Sequence, residues 1–420
     1  MAKIKFLGGA REVGRSGFLL DVGDKILMDY GVKLSTAATE YPLPVDTNLN
    51  ASITSHAHLD HSGNLPHLFQ TANAMAYMTP PTLDLAKMLW FDTLKIAGLE
   101  GMDAQFSRDE IAATEKHTFK VGYNQRMDIS ENTEMQFYNA GHILGSAITK
   151  IWHREGTFVY TGDFKAEETR LHNGADLKLG GCDTLMLEST YGDRNHPPRK
   201  ETEKLFVEHV QDTIDAGGHA LIAAFAVGRS QEVIDILHEY NINADIYLDG
   251  MCQKASRIYL DFPKYLKNPQ FLKKALNSAK WVKSMGMRKK ALSKPSVIVC
   301  TSGMLQGGPV HAYLPEIYKD KNSRLMLTGY QVTGTPGRTL LETGKINLDG
   351  INVEPKMHVE KYDFSAHASH DELIREIERL NPEKVICVHG DTEVIDKFAR
   401  EIKEKGFEVF APSVGDEIEI

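Results

Sequence analysis

Apolar and polar positions alternate along the chain in three regimes: strands first, then helices alternating with strands, then a short mixed end. Residues 3–8, 18–22, 25–30 and 52–55 are brief apolar runs parted by turn residues, several of them glycine, and each predicts a strand. Residues 81–94 carry apolar side chains at helical spacing, and 135–140, 147–152, 157–161 and 184–187 read as further strands. From Asn195 the rhythm lengthens. Helical stretches at 202–216 and 230–240 alternate with strand-like 220–224, 246–248 and 297–300. Such βαβ alternation implies a parallel sheet. After Gly350 the pattern gives a strand, a helix at 371–380, a strand at 385–388 and a helix at 392–405. No internal repeat or low-complexity linker interrupts it.

Length changes this picture first: 420 residues exceed one ordinary core and predict two domains. A hydrophobic content of 42% and a charged content of 25% are those of a globular protein in water. No run approaches the ~18 apolar residues that span a bilayer, and the first residues pass into a strand without a signal-peptide pattern. A cytoplasmic protein with no membrane partner is expected. Cys182, Cys252, Cys300 and Cys387 are far apart and form no CxxC pair, which predicts small buried thiols.

Charge is unevenly spread. Residues 251–295 hold twelve Lys and Arg against one acid, Asp261, so this segment carries +11 and the remainder −20 of the net −9. Tyr259, Phe262, Tyr265, Phe271 and Trp281 are interleaved with the basic residues. Cations mixed with aromatics suit a polyanion with stackable bases. A solvated lysine-rich helix is the blander explanation.

The chemistry concentrates in His56-Ala57-His58-Leu59-Asp60-His61, where four of six side chains can ligate a divalent metal. Two adjacent ions can generate a nucleophile from water at neutral pH and clamp both oxygens of a displacement at phosphorus. The run follows a predicted strand and precedes a helix, the usual place for a site in a layered α/β fold. Asp29, at the end of another strand, is read as a group that orients the ligand loop. His142, Asp163 and His389 each follow a predicted strand beside a glycine. Alone each would be a structural residue; together with the run they form a ligand constellation. The assignment gives one zinc His56, His58, His142 and Asp163, and the other Asp60, His61, His389 and the same Asp163 as bridge. His367, set among small residues, and Glu188, at a strand end, read as proton-transfer groups, because a carboxylate beside an imidazole keeps it protonated as a general acid.

These motifs resemble the metallo-β-lactamase superfamily, and specifically its β-CASP branch of nucleic-acid-processing enzymes. Asp29, the 56–61 run, His142 and Asp163 match the superfamily motifs in order; Glu188, His367 and His389 match the three that mark the branch. Residues 226–232 and 301–308 resemble blocks of the inserted β-CASP domain. Residues 9–16 are similar to the endonuclease subunit of the cleavage and polyadenylation factor, where ribonuclease J proteins show a different sequence. The resemblance implies an αββα metallo-β-lactamase sandwich from 1–190 and 356–420, interrupted at 191–355 by an α/β β-CASP domain with a parallel sheet. It implies a ribonuclease with two zinc ions, cutting single-stranded RNA endonucleolytically, with 5′-to-3′ exonuclease action open, to leave 5′-phosphate and 3′-hydroxyl ends. Asp60, His367 and Glu188 would be catalytic; Arg229, Ser302, Gly303 and Ser365 would meet RNA. A homodimer is compatible with this. Two alternatives stand beside it. A small-molecule thioester hydrolase explains the metals but not a 165-residue insert, and a non-catalytic RNA-binding paralogue does not explain why every ligand position is filled.

Overall fold

A computed structural model of the chain describes residues 2–34, 38–71, 74–332, 334–348 and 350–420. It divides into two compact units, one of residues 1–169, 173–195 and 366–420, the other of 170–172 and 196–365.

The first unit is built on two seven-stranded sheets. One runs in the order Glu417–Glu419, Lys3–Gly8, Gly17–Asp21, Lys25–Met28, Ala51–Ile53, Met75–Met78, Thr118–Lys120; the other Glu408–Phe410, Lys384–Val388, Thr184–Glu188, Gly156–Tyr160, Ala147–His153, Glu134–Asn139, Arg126–Asp128. Their facing sides share one core, in which Phe6, Phe18, Ile26 and Met28 meet Phe137, Ile151, Phe158 and Met186. Successive side chains of a strand point to opposite faces, so the strand Lys384–Val388 sends Ile386 and Val388 into that core. Its Val385 and Cys387 go to a second core, under the helices His370–Leu380 and Thr392–Glu404. Both faces are apolar and buried, which is why this segment reads as an unbroken hydrophobic run. The helix Pro80–Glu100 buries Leu83, Leu85, Ala86 and Trp90, with Trp90 Nε1 donating to Ser62 O at 2.9 Å. Thr79 caps its start and Gly101, in the left-handed region, ends it. Helix, sheet, sheet and helix make the expected αββα layering.

The second unit carries a six-stranded sheet in the order Lys280–Trp281, Asp245–Asp249, Ser296–Cys300, His219–Ala223, Arg324–Leu327, His358–Lys361, with every pairing parallel. The edge strand His358–Lys361 belongs here, although the sequence boundary at 355/356 assigns it to the hydrolase domain. Its pattern is half-exposed throughout, so no apolar alternation announces it, and its place comes from backbone pairing with Arg324–Leu327. All four cysteines are free and buried. No helix among the described residues is long and apolar enough to cross a membrane.

Candidate metal centre

Every expected ligand of the first unit lies just past the C-terminal end of a strand, or in the turn that follows. His56 follows Ala51–Ile53, and the short helical turn Leu59–Ser62 carries Asp60 and His61 with His58 at its N-terminus. His142 follows Glu134–Asn139, Asp163 follows Gly156–Tyr160, and His389 follows Lys384–Val388. The turn is clipped to the segment after Asp29 by backbone bonds, Tyr30 N to His61 O and Val32 N to Leu59 O, both 2.8 Å. Gly31 is required there: a Cβ would stand 1.8 Å from Asp60 O. Asp29 and His389 sit at φ 55° and 50°, in the left-handed region, a conformation that costs on the order of 1–2 kcal/mol per non-glycine residue and is offset here by their hydrogen bonds.

The donor atoms converge. His56 Nε2 and His142 Nε2 each lie 3.2 Å from His58 Nδ1, and 3.6 and 3.8 Å from Asp163 Oδ2. On the other carboxylate oxygen, Asp163 Oδ1, His61 Nε2 closes to 3.4 Å and His389 Nε2 to 3.7 Å. Asp60 Oδ2 is 3.8 Å from His389 Nε2. Three groups of donors share these residues: His56, His58, His142 and Asp163; His61, Asp163 and His389; and His56, Asp60 and His61.

The residues fit a divalent metal on their own chemistry. His61 Nε2 and Asp163 Oδ1 are buried and without a hydrogen-bond partner among the described residues, and an orphaned buried donor–acceptor pair is costly unless something fills it. Burial and neighbouring imidazoles hold His56 and His142 well below the usual histidine range. Burial also lowers His58, against the pull of Asp60 and Asp163. Neutral imidazoles are the form that binds metal. Asp163 is held well below the usual carboxylate range, because His389, His61 and His367 outweigh its burial.

Around the ligands stands a layer of supporting groups. Asp29 receives Ser55 N at 2.7 Å, Ser55 Oγ at 2.8 Å and Tyr160 OH at 2.8 Å, and meets His61 Nδ1 at 2.7 Å. Ser16 Oγ lies 3.2 Å from His389 Nδ1, and His142 Nδ1 lies 2.9 Å from Ala366 O. Sequence reasoning found Asp29 but missed Ser16, Ser55 and Tyr160. Ser55 adjoins His56 and was within reach of a local reading; Ser16 is 373 positions from its partner and gave no signal.

His367 and Glu188 come together as well. His367 Nδ1 is 2.8 Å from Glu188 Oε2 and 3.9 Å from Asp163 Oδ2. Glu188 is fixed from behind, its Oε1 accepting Phe164 N at 2.9 Å. Burial opposes protonation of His367, but Glu188 and Asp163 outweigh it and lift its pKa to about 9.

The four remaining candidates, Arg229, Ser302, Gly303 and Ser365, belong to the second unit. Arg229 pairs with Glu232, and its guanidinium lies 5.9 Å from the Phe364 ring centre. Ser302 Oγ accepts Gln306 N at 2.9 Å, Gly303 O accepts Gln331 Nε2 at 2.9 Å, and Ser365 N donates to Asp363 Oδ1 at 3.0 Å. These contacts brace the unit internally.

Comparison with known proteins agrees with this construction. Residues 19–189 match the metallo-beta-lactamase superfamily domain, 230–340 the Beta-Casp domain, and 352–412 the Zn-dependent metallo-hydrolase RNA specificity domain. The chain is 38% identical to a protein of Methanocaldococcus jannaschii named probable RNase MJ4, over the full length of both. It is 36% identical to RNase aCSPSF2 of Saccharolobus solfataricus, over 99% of this chain and 85% of that one. With transcription termination factor FttA of Methanocaldococcus jannaschii it shares 37% identity over 96% of this chain and 69% of the relative. A crystal structure of an Enterococcus faecalis protein of unknown function superposes with a TM-score of 0.63 at 13% identity, covering 99% of each chain, and shows the shared fold. The chain belongs to the β-CASP family of the metallo-β-lactamase superfamily.

Proposed function

We propose that the chain is a zinc-dependent ribonuclease that cuts phosphodiester bonds of single-stranded RNA and leaves 5′-phosphate and 3′-hydroxyl ends. The observation that carries this reading is the His367–Glu188 pair beside Asp163, a proton-transfer device that a simple ester hydrolase does not need. The family's metallo-hydrolase and RNA-specificity domains and the relatives named as RNases support it. His56, His58, His142 and Asp163 would hold one zinc ion; Asp60, His61, His389 and Asp163 would hold the second. When bound, such ions supply a water nucleophile at neutral pH and neutralise charge on the phosphate. Asp60, with 32% of its side chain exposed, is the more open of the two ligand aspartates and takes the proton released from water. His367 gives a proton to the departing 3′ oxygen as the P–O3′ bond breaks, and Glu188 holds the imidazole in the orientation that commits Nε2 to this transfer. Ser302, Gly303 and Ser365 are the phosphate-contacting candidates, with Arg229 bracing their unit. The reading is compatible with a homodimer and with a place in the cytoplasm; light scattering on the purified chain checks the oligomeric state.

The test is incubation with a circular RNA beside 5′-monophosphorylated and 5′-triphosphorylated linear RNAs and a panel of thioesters. Cutting of the circle, with 5′-phosphate ends on the products, is expected. Thioester cleavage with every RNA left intact overturns the reading in favour of a small-molecule hydrolase.

A further inference from the structure

The basic segment changes its meaning once its side chains are placed. Around the edge strand Lys280–Trp281 gather three helices: Cys252–Asp261, Pro269–Ser278 and Met285–Ala291. Gln253 Nε2 of the first helix donates to Val282 O at 2.7 Å, Trp281 Nε1 donates to Leu276 O in the second at 3.0 Å, and Lys283 N approaches Met287 Sδ in the third at 3.4 Å. The segment is therefore one continuous surface at one edge of the sheet.

Nine of its twelve cations fall into two classes. Lys280 and Lys294 both bind Asp245, at 2.6 and 2.8 Å, and Arg288 binds Asp249 at 2.7 Å. These three hold the edge strand and the last helix to the sheet. Lys254, Lys273, Lys274, Lys283, Lys289 and Lys290 are exposed and have no ion pair among the described residues. Uncompensated charge of one sign attracts a polyanion and releases its counterions.

The aromatics are engaged by neighbours, one of them buried and four half-buried. Tyr259 is fully buried. Trp281 is held by its bond to Leu276 and has the Arg257 guanidinium 5.3 Å above its ring. Phe271 packs on His238, with ring centres 5.3 Å apart, and Phe262 packs on Tyr265 at 6.2 Å. The rings expected to stack on bases thus already have protein neighbours, while the six exposed lysines have no ion pair among the described residues.

We infer that this edge of the β-CASP unit is a binding surface for the phosphate backbone of RNA, gripping charge without reading bases. The inference rests on the ribonuclease reading for its choice of RNA. An anionic membrane is the disfavoured occupant: Met285, 59% exposed, is the one large exposed apolar side chain among the described residues of the segment, and interfacial helices need a continuous apolar face. The consequence is specific. Affinity depends on the number of phosphates and on salt, and hardly on base identity or strandedness, because stacking would favour single strands.

The test compares K273E/K274E and K289E/K290E with an equal charge reversal elsewhere, K397E/K403E on the exposed side of the helix Thr392–Glu404. RNA affinity is measured against salt by fluorescence anisotropy, for single-stranded and duplex RNA with the same number of phosphates. Each basic-edge variant is expected to lose about tenfold in affinity and to flatten the log–log salt slope by roughly 1–2, since each phosphate contact contributes ~0.7–0.9. The control keeps the wild-type slope, and the loss caused by each basic-edge variant is the same within a few-fold for the two RNAs. Slopes that superimpose on the control overturn the inference, as does a loss confined to single strands or capture of phosphatidylserine vesicles in place of RNA. Zinc content and cleavage at saturating RNA are followed in the same preparations. Their loss in wild type sinks the ribonuclease reading; their retention beside unchanged slopes sinks this inference alone.

Discussion

His61 is held between two carboxylates: its Nδ1 lies 2.7 Å from Asp29 Oδ2, and its Nε2 faces Asp163 Oδ1 at 3.4 Å. The first contact sets the tautomer and the second shows where a metal would sit, because a ring that donates from Nδ1 offers its Nε2 lone pair to an ion. Ser55 and Tyr160 hold Asp29 in turn, so the orientation of this candidate ligand rests on three groups outside the donor clusters.

Replacing Asp29 by Asn should leave the fold intact and weaken metal binding by roughly 10–100-fold, the usual cost of losing such an orienting group. Tyr160→Phe, which removes one of the bonds to Asp29, should cost less. Zinc titration against a fluorescent chelator ranks the two; equal and unchanged affinities would remove Asp29 from the site.

Asp163 is the carboxylate shared by the group of His56, His58 and His142 and the group of His61 and His389. Asp163→Ala should therefore lower metal content at both positions and abolish RNA cleavage. Metal analysis after dialysis decides it: a variant that keeps two ions per chain shows that Asp163 is no bridge.

His367→Ala should retain metal while RNA cleavage falls by ~10²–10⁴, the range for a lost general acid. His367, Glu188 and Asp163 also form a group close enough to hold an ion, so metal content is the deciding measurement, and parallel loss of metal and activity makes His367 a ligand. Glu188→Gln should lower activity with metal unchanged, because a neutral amide no longer supports the imidazolium.

Burial raises Asp235 in the β-CASP unit to about 7, with Arg170 opposing and Glu232, Glu239 and Glu203 reinforcing. A carboxyl raised in the folded state contributes stability at low pH that is lost as pH climbs from the ordinary aspartate range through 7. Asp235→Asn should remove that loss. Urea unfolding should find it more stable than wild type by roughly 2–4 kcal/mol at pH 8, with the gain shrinking towards pH 4. A pH-independent difference would mean that Asp235 is ionised throughout.

The site was more legible than its supports. Four candidate ligands fall within six residues, and Glu188 and His389 end apolar runs buried on both faces, so strand and chemistry announce each other. Tyr160 and Ser16 gave no such sign, because their partners come from 131 and 373 positions away. Short strands were missed for a related reason. Thr118–Lys120 and Arg126–Asp128 are three residues long and largely exposed, too brief and too polar for alternation to register. The stacking expectation fails for Tyr259, which is fully buried, because composition reports which residues are near one another in sequence, not which way a helix turns them.

The parallel pairing of Thr184–Glu188 with Lys384–Val388, Thr184 opposite Lys384, carries a consequence for biosynthesis. The strand Thr184–Glu188 must wait for about 200 further residues before its neighbour Lys384–Val388 exists, and such long-range pairing is slow to form. His367 and His389 likewise follow the whole of residues 196–365 in the chain. A nascent chain that ends within that stretch holds His56, His58 and His61 and yet lacks both His367 and His389. The candidate centre is thus assembled only after the second unit has been synthesised.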